Sequence, residues 1–553
     1  MTKIVVIGGG AAGFKAASRA RRRDESAEIT VIEKSKYLSV CRCGMPYFIE
    51  GLIHNITDLQ STPYGMVRDA DFFKKVKNID VITGKAERVD PSGKVVEVEQ
   101  NGSIEEVPYD YLVLATGTEP TMLNISGIGS QGVFKLTNPD DALAITDYWE
   151  EEDPEEVVVV GSGPVGLECA EALSRLGMGV TVVEMMEDLI PQMLDPEMSL
   201  VVRKHLEDNG VRVKTSSEVK EIITRDGKVA GVNIGDEVVD AQMVLVAAGI
   251  RPNNRLAKDA DLEIGVGIKV NSYLQTSDPS IYAGGDCVEN VNIPTGESVY
   301  TPLGSVANKH GRVIGDNITG GKSEFKGVMG TMIFRTMGLN VAATGLSERE
   351  AQKLGYNVVT SIVPGPDRYH NYPDRKNLRL KLIADKDGPL LGAQAVGDGV
   401  VDKRIDVIST AIQLKATVDD MTNLDHAYSP PFSTGIDPVI HAANMIKNKL
   451  EGLIESISII ELKEKFDRKD DFILLDVRTE NEHQKGHIQD ERVVHIPLDQ
   501  LRGSLRLLDK HKQKEIIVVC QIGSRAYEAA RILLANGYDA RIADGCMALW
   551  TFG

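Results

Sequence analysis

Two stretches of the chain carry the same pattern of apolar and polar positions. Lys3–Ile7 is a nearly unbroken apolar run, a glycine-rich turn follows, Ala11–Arg23 keeps helical spacing, and Ile29–Ile32 is a second apolar run ending at Glu33. Residues 156–184 repeat this order: a run at Glu156–Val160, a glycine-rich turn, a helical stretch at Pro164–Leu176, a run at Val180–Val183, and then Glu184. Continuous rather than alternating apolar runs predict strands covered on both faces, as in a parallel sheet with crossover helices. The spacing of about 150 residues is too long for a solenoid repeat and predicts two separate nucleotide-binding folds. Residues 85–117 read as short strands and turns ending in Tyr111-Leu-Val-Leu-Ala-Thr-Gly117, and Met243-Val-Leu-Val-Ala-Ala-Gly249 is the matching end of the second unit. Residues 325–448 mix strands (Leu378–Ile383, Ala393–Val396) with helices (Lys403–Leu414, Pro438–Lys449). Residues 449–457 read as a linker, and a further α/β unit starts at 458.

Composition narrows the function. Lys and Arg number 62 against 81 Asp and Glu, for a net charge of −19. That excess argues against non-specific binding of nucleic acid and against docking on anionic lipid, while leaving room for a local basic pocket. No apolar run approaches the roughly 18–20 residues of a membrane span. The opening residues lack signal-peptide anatomy, so a cytoplasmic protein is expected. Six cysteines in 553 residues make no disulfide scaffold, so each is either a chemical group or core packing.

The glycine turns carry the first chemistry. Gly8-x-Gly10-x-x-Gly13 follows a strand and opens a helix: the first glycine suits a tight turn, the second lets the backbone approach a pyrophosphate, and the third lets helix and strand pack closely. The helix N-terminus then faces phosphate. Glu33, 20 residues on, stands where a ribose hydroxyl would donate to it. Gly161-x-Gly163-x-x-Gly166 with Glu184 repeats the arrangement. A carboxylate there repels a 2′-phosphate, and Met185 and Met186 follow where an arginine would favour NADPH, so NADH is expected at the second site with NADPH as the alternative.

Thr276-Ser-Asp-Pro-Ser-Ile-Tyr-Ala-Gly-Gly-Asp286 follows far downstream, and the whole arrangement resembles the two-dinucleotide flavoprotein disulfide reductases. The resemblance implies that Asp286 holds the FAD ribityl chain, that Thr116 and Gly117 join the FAD site, and that the first glycine loop binds FAD and the second NAD(P)H. Ser39-Val-Cys41-Arg42-Cys43-Gly44-Met45-Pro46-Tyr47 lacks the C-x₄-C of the dithiol reductases and resembles the single-cysteine branch: coenzyme A disulfide reductases, the related persulfide reductases, and NADH oxidases or peroxidases. Cys43 is then the redox cysteine. Gly44-Met-Pro46 reads as a helix start, which would favour a thiolate. Cys41 departs from the branch pattern and is read either as a resolving thiol or as an unreactive neighbour; no Cys or His cluster completes a metal site with it.

Lys15, Arg19 and Arg22 share one face of the first helix, and Arg42 stands beside Cys43. Such basic residues are commonly just solvated. The resemblance instead implies that Lys15, Arg19, Arg22, Ser39 and Arg42, with Lys75, bind the phosphates of coenzyme A. Residues 325–448 resemble the superfamily's dimerisation domain. Within it Asp425-His-Ala-Tyr428-Ser-Pro-Pro-Phe432 matches the stretch that reaches the partner's active site, with Tyr428, and Tyr372 as a second choice, donating hydrogen bonds there. The lysine often found after Pro-Pro-Phe-Ser433 is absent; Thr434-Gly-Ile436-Asp437 follows instead.

The C-terminal unit resembles a single-domain rhodanese. Its landmarks are Phe472-Ile-Leu-Leu-Asp476-Val-Arg478, Gly486-His-Ile488, His495-Ile-Pro-Leu498 and Glu515-Ile-Ile-Val-Val-Cys520-Gln-Ile-Gly-Ser-Arg525, which continues into a helix (Ala526–Leu534). A cysteine between strand and helix faces backbone N–H groups that stabilise a thiolate or persulfide, and Arg525 adds positive charge. Cysteine phosphatases share C-x₅-R, but the other landmarks favour rhodanese. Cys169, Cys287 and Cys546 are read as structural.

The expected architecture is therefore α/β, with two Rossmann-like dinucleotide-binding domains, an α+β dimerisation domain and a C-terminal α/β rhodanese domain. The expected bounds are 1–117 with 250–322 for FAD, 118–249 for NAD(P)H, 323–448 for dimerisation and 458–553 for rhodanese. The expected function is reduction of coenzyme A persulfide, polysulfide or coenzyme A disulfide through Cys43 of a homodimer, using NAD(P)H and FAD, with sulfane sulfur carried on Cys520. An NADH oxidase or peroxidase cycling through a sulfenic acid, and a sulfur carrier or redox sensor, are the alternatives.

Overall fold

A computed structural model of the chain describes residues 1–552. The chain divides into two compact units: residues 1–185 with 217–328, and residues 186–216 with 329 onward.

The first unit is built on two parallel sheets. In one, the strands run in the order Ile281–Ala283, Tyr111–Leu114, Lys3–Ile7, Glu28–Glu33, Asp80–Thr83. Val5, Ile7, Leu112 and Leu114 line one face of it, and Ile4, Val6, Ile29 and Val31 line the other; all eight are buried. This two-sided burial is why the runs do not alternate. The helix Ala11–Arg23 lies against the helix Gly304–Ile318. The other sheet pairs Glu156–Val160 with Gly179–Val183 on one side and Met243–Val246 on the other, again in parallel. Each nucleotide fold also carries an antiparallel three-stranded sheet, at residues 85–108 and 219–240.

The second unit begins with a five-stranded antiparallel sheet ordered Met332–Thr336, Leu339–Gly345, Leu390–Gly397, Asn377–Asp385, Val358–Pro366, with the helices Asp402–Gln413 and Pro438–Leu450 packed on it. A parallel sheet follows in the order Ser456–Ile457, Ala540–Ala543, Glu515–Val519, Phe472–Asp476, Val493–His495. No helix among the described residues is long and apolar enough to cross a membrane.

One boundary differs from the sequence reading. The expected linker at 449–457 is only Glu451–Glu455: the preceding helix runs through Leu450, and Ser456–Ile457 pairs with Ile542–Ala543 as an edge strand. This short tether is also fastened. Lys449 Nζ meets Asp544 at 2.8 Å and the carbonyl of Thr360 at 2.7 Å, Arg379 Nε donates to the carbonyl of Ala548 at 3.0 Å, and Arg531 donates to the carbonyl of Leu453. The helix Pro196–Asp208 lies inside the range expected for the nucleotide fold, 118–249. It belongs to the second unit. Lys381, fully buried on the strand Asn377–Asp385, places its ammonium among Asp195 (2.9 Å), Glu197 and Glu348 (2.6 Å), and so draws the start of this helix onto the antiparallel sheet.

Candidate functional site

The two glycine loops are built alike. Gly8 has φ +108°, and a Cβ there would lie 2.1 Å from the Ala115 oxygen; a Cβ on Gly13 would lie 1.9 Å from the Gly8 oxygen. Gly10 differs, because a Cβ there would meet nothing within 4 Å. The loop therefore leaves space at its middle glycine, where the helix opens with no side chain capping it. Gly161 (φ +104°), Gly163 and Gly166 repeat these three environments. Glu33 accepts from the backbone N–H of Gly9 at 2.6 Å and of Ser35 at 2.8 Å, and Glu184 accepts from Ser162 N at 2.9 Å and Oγ at 2.6 Å. Each acid thus braces its own loop at the place where a ribose was expected.

Asp286 stands on the turn after the strand Ile281–Ala283. Its Oδ1 is buried with no hydrogen-bond partner, and burial pushes its carboxyl up, opposed by the Arg42 guanidinium. Two residues that the sequence reading passed over hold this turn. His310 is fully buried and accepts the Gly285 N–H at Nδ1 (3.1 Å), and Tyr300 donates its hydroxyl to the Asp286 carbonyl at 2.8 Å. Neither has a sequence neighbour that would mark it. At the end of the strand Tyr111–Leu114, Thr116 donates to the carbonyl of Asn253, and the Gly117 carbonyl accepts from Asn253 N at 2.9 Å.

Ser39, held at φ +53°, donates its N–H to the Gly9 carbonyl at 2.8 Å and so ties the cysteine segment to the first glycine loop. Cys41 and Cys43 are both exposed free thiols. The helix that follows is only Met45–Ile49, and Cys43 sits before it in the tight turn Arg42–Gly44. The helix start is present, but so short a helix does not dominate the sulfur. Although Cys43 is open to solvent, the surrounding protein, then the Cys41 sulfur and the carboxylates of Glu168 and Asp286, push its thiol up rather than down. Glu168 lies on the helix Pro164–Arg175 of the second glycine loop and accepts from Tyr47 Oη at 3.2 Å. Cys43 therefore stands within the field of both nucleotide folds.

The basic residues divide. Arg22 and Arg42 are exposed and Lys15 is half-buried. Arg19 Nε meets Asp316 at 2.6 Å and so pins the first helix to the helix Gly304–Ile318. Lys75, on the helix Ala70–Lys77, pairs with Asp71 at 2.6 Å.

In the second unit, the loops carrying Tyr372 and Tyr428 lie together, since Tyr369 N donates to the Pro430 carbonyl at 3.4 Å and Tyr372 N to the Tyr369 carbonyl at 2.9 Å. Arg404, buried, anchors both loops through Asp437 (2.9 Å) and the carbonyl of Asp367 (2.7 Å). Tyr428, Phe432 and Ile436 are exposed, leaving an apolar edge there.

Cys520 ends the strand Glu515–Val519, ahead of the helix Ser524–Ala535. Gly523 N donates to its sulfur at 3.1 Å. A hydrogen bond from Cys546, then the amides of Ala526, Gly523 and Ile522, pull its thiol down to about 6 despite burial. Arg525 forks onto Glu482 (2.6 and 2.7 Å), which this bond draws down to about 2, so its charge is shared rather than free. Asp476 binds Arg478 at 2.7 Å and His483 at 2.9 Å, and the His483 ring stacks between His487 and His495. Cys169 and Cys287 are buried, with burial pushing both thiols up, as expected of packing cysteines. Cys546 is buried too, its thiol donating to the Ala543 carbonyl at 3.2 Å, and the residue after it bonds the Cys520 carbonyl at 3.0 Å, which spacing along the chain did not reveal.

Two glycine loops of one design, with an accessible thiol beside a buried and unpartnered carboxylate, define a dinucleotide-dependent thiol oxidoreductase as a class. The chain belongs to the pyridine nucleotide-disulphide oxidoreductase family, whose profile matches residues 2–311. The dimerisation domain of that family matches residues 332–439, and a rhodanese-like domain matches 458–552. A solved NAD-dependent persulfide reductase from A. fulgidus is 49% identical, with a TM-score of 0.95 over 99% of this chain and 100% of its own. An NADH oxidase of Methanocaldococcus jannaschii is 37% identical, over 81% of this chain and 99% of its own length. An NAD(P)H coenzyme A polysulfide/persulfide reductase of Pyrococcus horikoshii is 35% identical, over 80% of this chain and 98% of its own length.

Proposed function

We propose that this chain is an NAD(P)H-dependent flavoprotein that reduces the sulfur–sulfur bond of a coenzyme A persulfide, a polysulfide or coenzyme A disulfide, and that its rhodanese domain carries sulfane sulfur on Cys520. One observation carries the reading: Cys43 is an exposed thiol in the field of Asp286 and Glu168, in the unit that holds both glycine loops. The names borne by the A. fulgidus and Pyrococcus horikoshii relatives support it.

The residues fit two dinucleotides. Gly10 leaves the gap a pyrophosphate needs while Gly8 and Gly13 let the loop turn and pack, Glu33 stands where a ribose is expected, and the unpartnered Oδ1 of Asp286 is an acceptor for the ribityl hydroxyls of FAD, with Thr116 and Gly117 as further contacts. Gly161, Gly163, Gly166 and Glu184 do the same for the nicotinamide nucleotide. Glu184, with exposed Met185 and Met186 after it, favours NADH. Bound FAD passes electrons from the nicotinamide to sulfur. Cys43 supplies the nucleophile: with coenzyme A persulfide its thiolate bonds to the sulfane sulfur, coenzyme A leaves as a thiolate that takes up a proton, and two electrons with a proton then break the new bond and release hydrogen sulfide; with coenzyme A disulfide the same two steps release two coenzyme A thiols.

Lys15, Arg22, Ser39 and Arg42 are the proposed contacts to coenzyme A phosphates, with Lys75 the weaker candidate and Arg19 sharing its charge with Asp316. Tyr428 and Tyr372 are proposed to reach the active site of the second subunit of a homodimer across the exposed edge at Tyr428 and Phe432. The free thiols and acidic surface suit a cytoplasmic setting.

The test is steady-state turnover of NADH with coenzyme A persulfide, coenzyme A disulfide, polysulfide, peroxide and oxygen. The Cys43→Ser variant keeps FAD and loses persulfide and disulfide turnover, while Cys520→Ser loses only sulfur transfer from thiosulfate. Faster turnover of oxygen or peroxide than of every sulfur substrate would give the protein to the oxidase reading that the Methanocaldococcus jannaschii relative's name suggests.

A further inference from the structure

The loop that carries Cys520 is held from outside its own domain. After the strand Ala540–Ala543 the chain turns through Gly545 (φ +73°) and Cys546 (φ +50°), two successive left-handed residues. Such a backbone is unfavourable for cysteine, so contacts around the turn must impose it. Before the turn, Asp544 accepts from Lys449 Nζ at 2.8 Å and from Ser456 Oγ at 2.9 Å. After it, the Ala548 carbonyl accepts from Arg379 Nε at 3.0 Å. Lys449 lies on the helix Pro438–Leu450 and Arg379 on the strand Asn377–Asp385, both outside the residues that match the rhodanese-like domain. Leu378 and Leu380, the strand neighbours of Arg379, are buried on the other face of the sheet, which leaves Arg379 projecting toward the C-terminal domain.

Between these two moorings lie the amides that meet the Cys520 loop. Met547 N donates to the Cys520 carbonyl and Ala548 N to the Gln521 carbonyl, each at 3.0 Å. A trans peptide carries its N–H opposite its C=O. With both carbonyls drawn to the turn, the N–H groups of the same two peptide planes, those of Gln521 and Ile522, face away from it. The next amide, Gly523 N, donates to Cys520 Sγ at 3.1 Å. The turn is thus a template that sets which way the amides of the loop face.

We propose that Arg379 is a positioning residue for Cys520: by holding the Ala548 carbonyl it fixes the turn that orients the N–H groups of the loop around the sulfur. The guanidinium bonds the turn and not the sulfur, so its effect is one of orientation. Amides aimed at the sulfur favour the thiolate, and amides turned aside leave burial to favour the thiol.

The inference rests on Cys520 as the ionised, sulfur-carrying cysteine, so its test reads ionisation, sulfur transfer and flavin turnover separately in the full chain. The rate of Cys520 alkylation by iodoacetamide is followed against pH by peptide mass spectrometry. Arg379→Met keeps the length of the side chain without a donor, and its midpoint moves up by about one pH unit. Arg379→Gln carries an N–H group at the place of Nε without the charge, and recovers at least half of that shift. NADH turnover with coenzyme A disulfide, which runs through Cys43, stays at the parent rate in both. An unmoved midpoint in Arg379→Met, a glutamine variant no different from it, or a matching loss of coenzyme A disulfide turnover overturns the proposal. Should Arg379→Met not fold, deuterium exchange takes its place: the Met547 and Ala548 amides exchange slowly in the parent and in Arg379→Gln, and rapid exchange in either overturns the proposal. Absence of sulfur transfer from thiosulfate in the parent protein would instead strike the sulfur-carrier reading, while the alkylation result still decides the role of Arg379.

Discussion

His310 accepts the backbone N–H of Gly285 through Nδ1 at 3.1 Å, so the turn that presents Asp286 hangs on an imidazole buried away from water. Only a neutral ring can accept in this way, since the imidazolium has two N–H donors and no free lone pair. Burial, with Lys309 adding to it, brings His310 down to about 4, which keeps the ring neutral at ordinary pH.

The turn should therefore fail in acid. The ring titrates near 6.5 in the unfolded chain and about 4 in the folded one, so between these values the unfolded state binds more protons. The stability that the neutral ring gives is fully present above 6.5 and drains away as pH falls toward 4, by up to about 3 kcal/mol. The His310→Asn variant keeps an acceptor for Gly285 but does not titrate. Its thermal FAD-release midpoint, measured from pH 7 to 4.5, should fall less steeply than that of the parent; parallel slopes would count against the assignment.

Gly8 and Gly10 separate folding from binding. Gly8→Ala forces a Cβ to 2.1 Å from the Ala115 oxygen at φ +108° and should sharply reduce soluble protein. Gly10→Ala meets no atom of the chain within 4 Å. It should fold, yet lose FAD affinity by at least about tenfold, because the methyl group occupies the pyrophosphate's space. The ratio of absorbance at 450 and 280 nm after dialysis reads this directly. In the second loop, Gly163→Ala should retain FAD and raise KM for NADH by a similar factor.

Arg19 and Arg22 lie on the same helix but should fail differently. Arg19→Ala leaves Asp316 without its 2.6 Å partner in a mostly buried place, at a cost of about 1–3 kcal/mol in stability. Arg22→Ala should leave the melting temperature unchanged and raise KM for coenzyme A substrates alone. Equal effects of the two variants on KM, with no loss of stability in Arg19→Ala, would return Arg19 to the substrate site.

Lys381→Met should be among the most damaging single changes in the second unit. It strands the carboxylates of Asp195 and Glu197 in the interior and frees Glu348, and breaking a buried ion cluster by removing one partner costs about 3–5 kcal/mol. Differential scanning calorimetry should show the transition of the second unit falling by several degrees, with flavin content unchanged.

The sequence was legible where neighbouring residues carry the signal. Lys3–Ile7, Ala11–Arg23 and Glu156–Val160 fall where the apolar runs and glycines put them, because strand burial and turn chemistry are local matters. It was silent where partners lie far apart along the chain. Lys381 looks like an ordinary polar strand residue, and Glu197, 184 residues away, gives no local hint that the two meet. The Cys43 thiol is raised by burial first, then by the Cys41 sulfur and by carboxylates at positions 168 and 286, and the helix start beside the cysteine gave no sign of these. Arg19 reads in sequence as a solvated or coenzyme A-binding residue, and its ion pair with Asp316, 297 residues away, is not legible there. Cys546 was read as packing because nothing in its own segment betrays the loop it is clamped to.

The tether Glu451–Glu455 is too short, and too firmly moored by Lys449, Arg379 and Arg531, to act as a crane. On the proposed function, we expect cargo on Cys520 to leave with a diffusing carrier rather than by motion of its domain. Splicing a long glycine–serine leash into the tether would then leave the sulfur flux as it was.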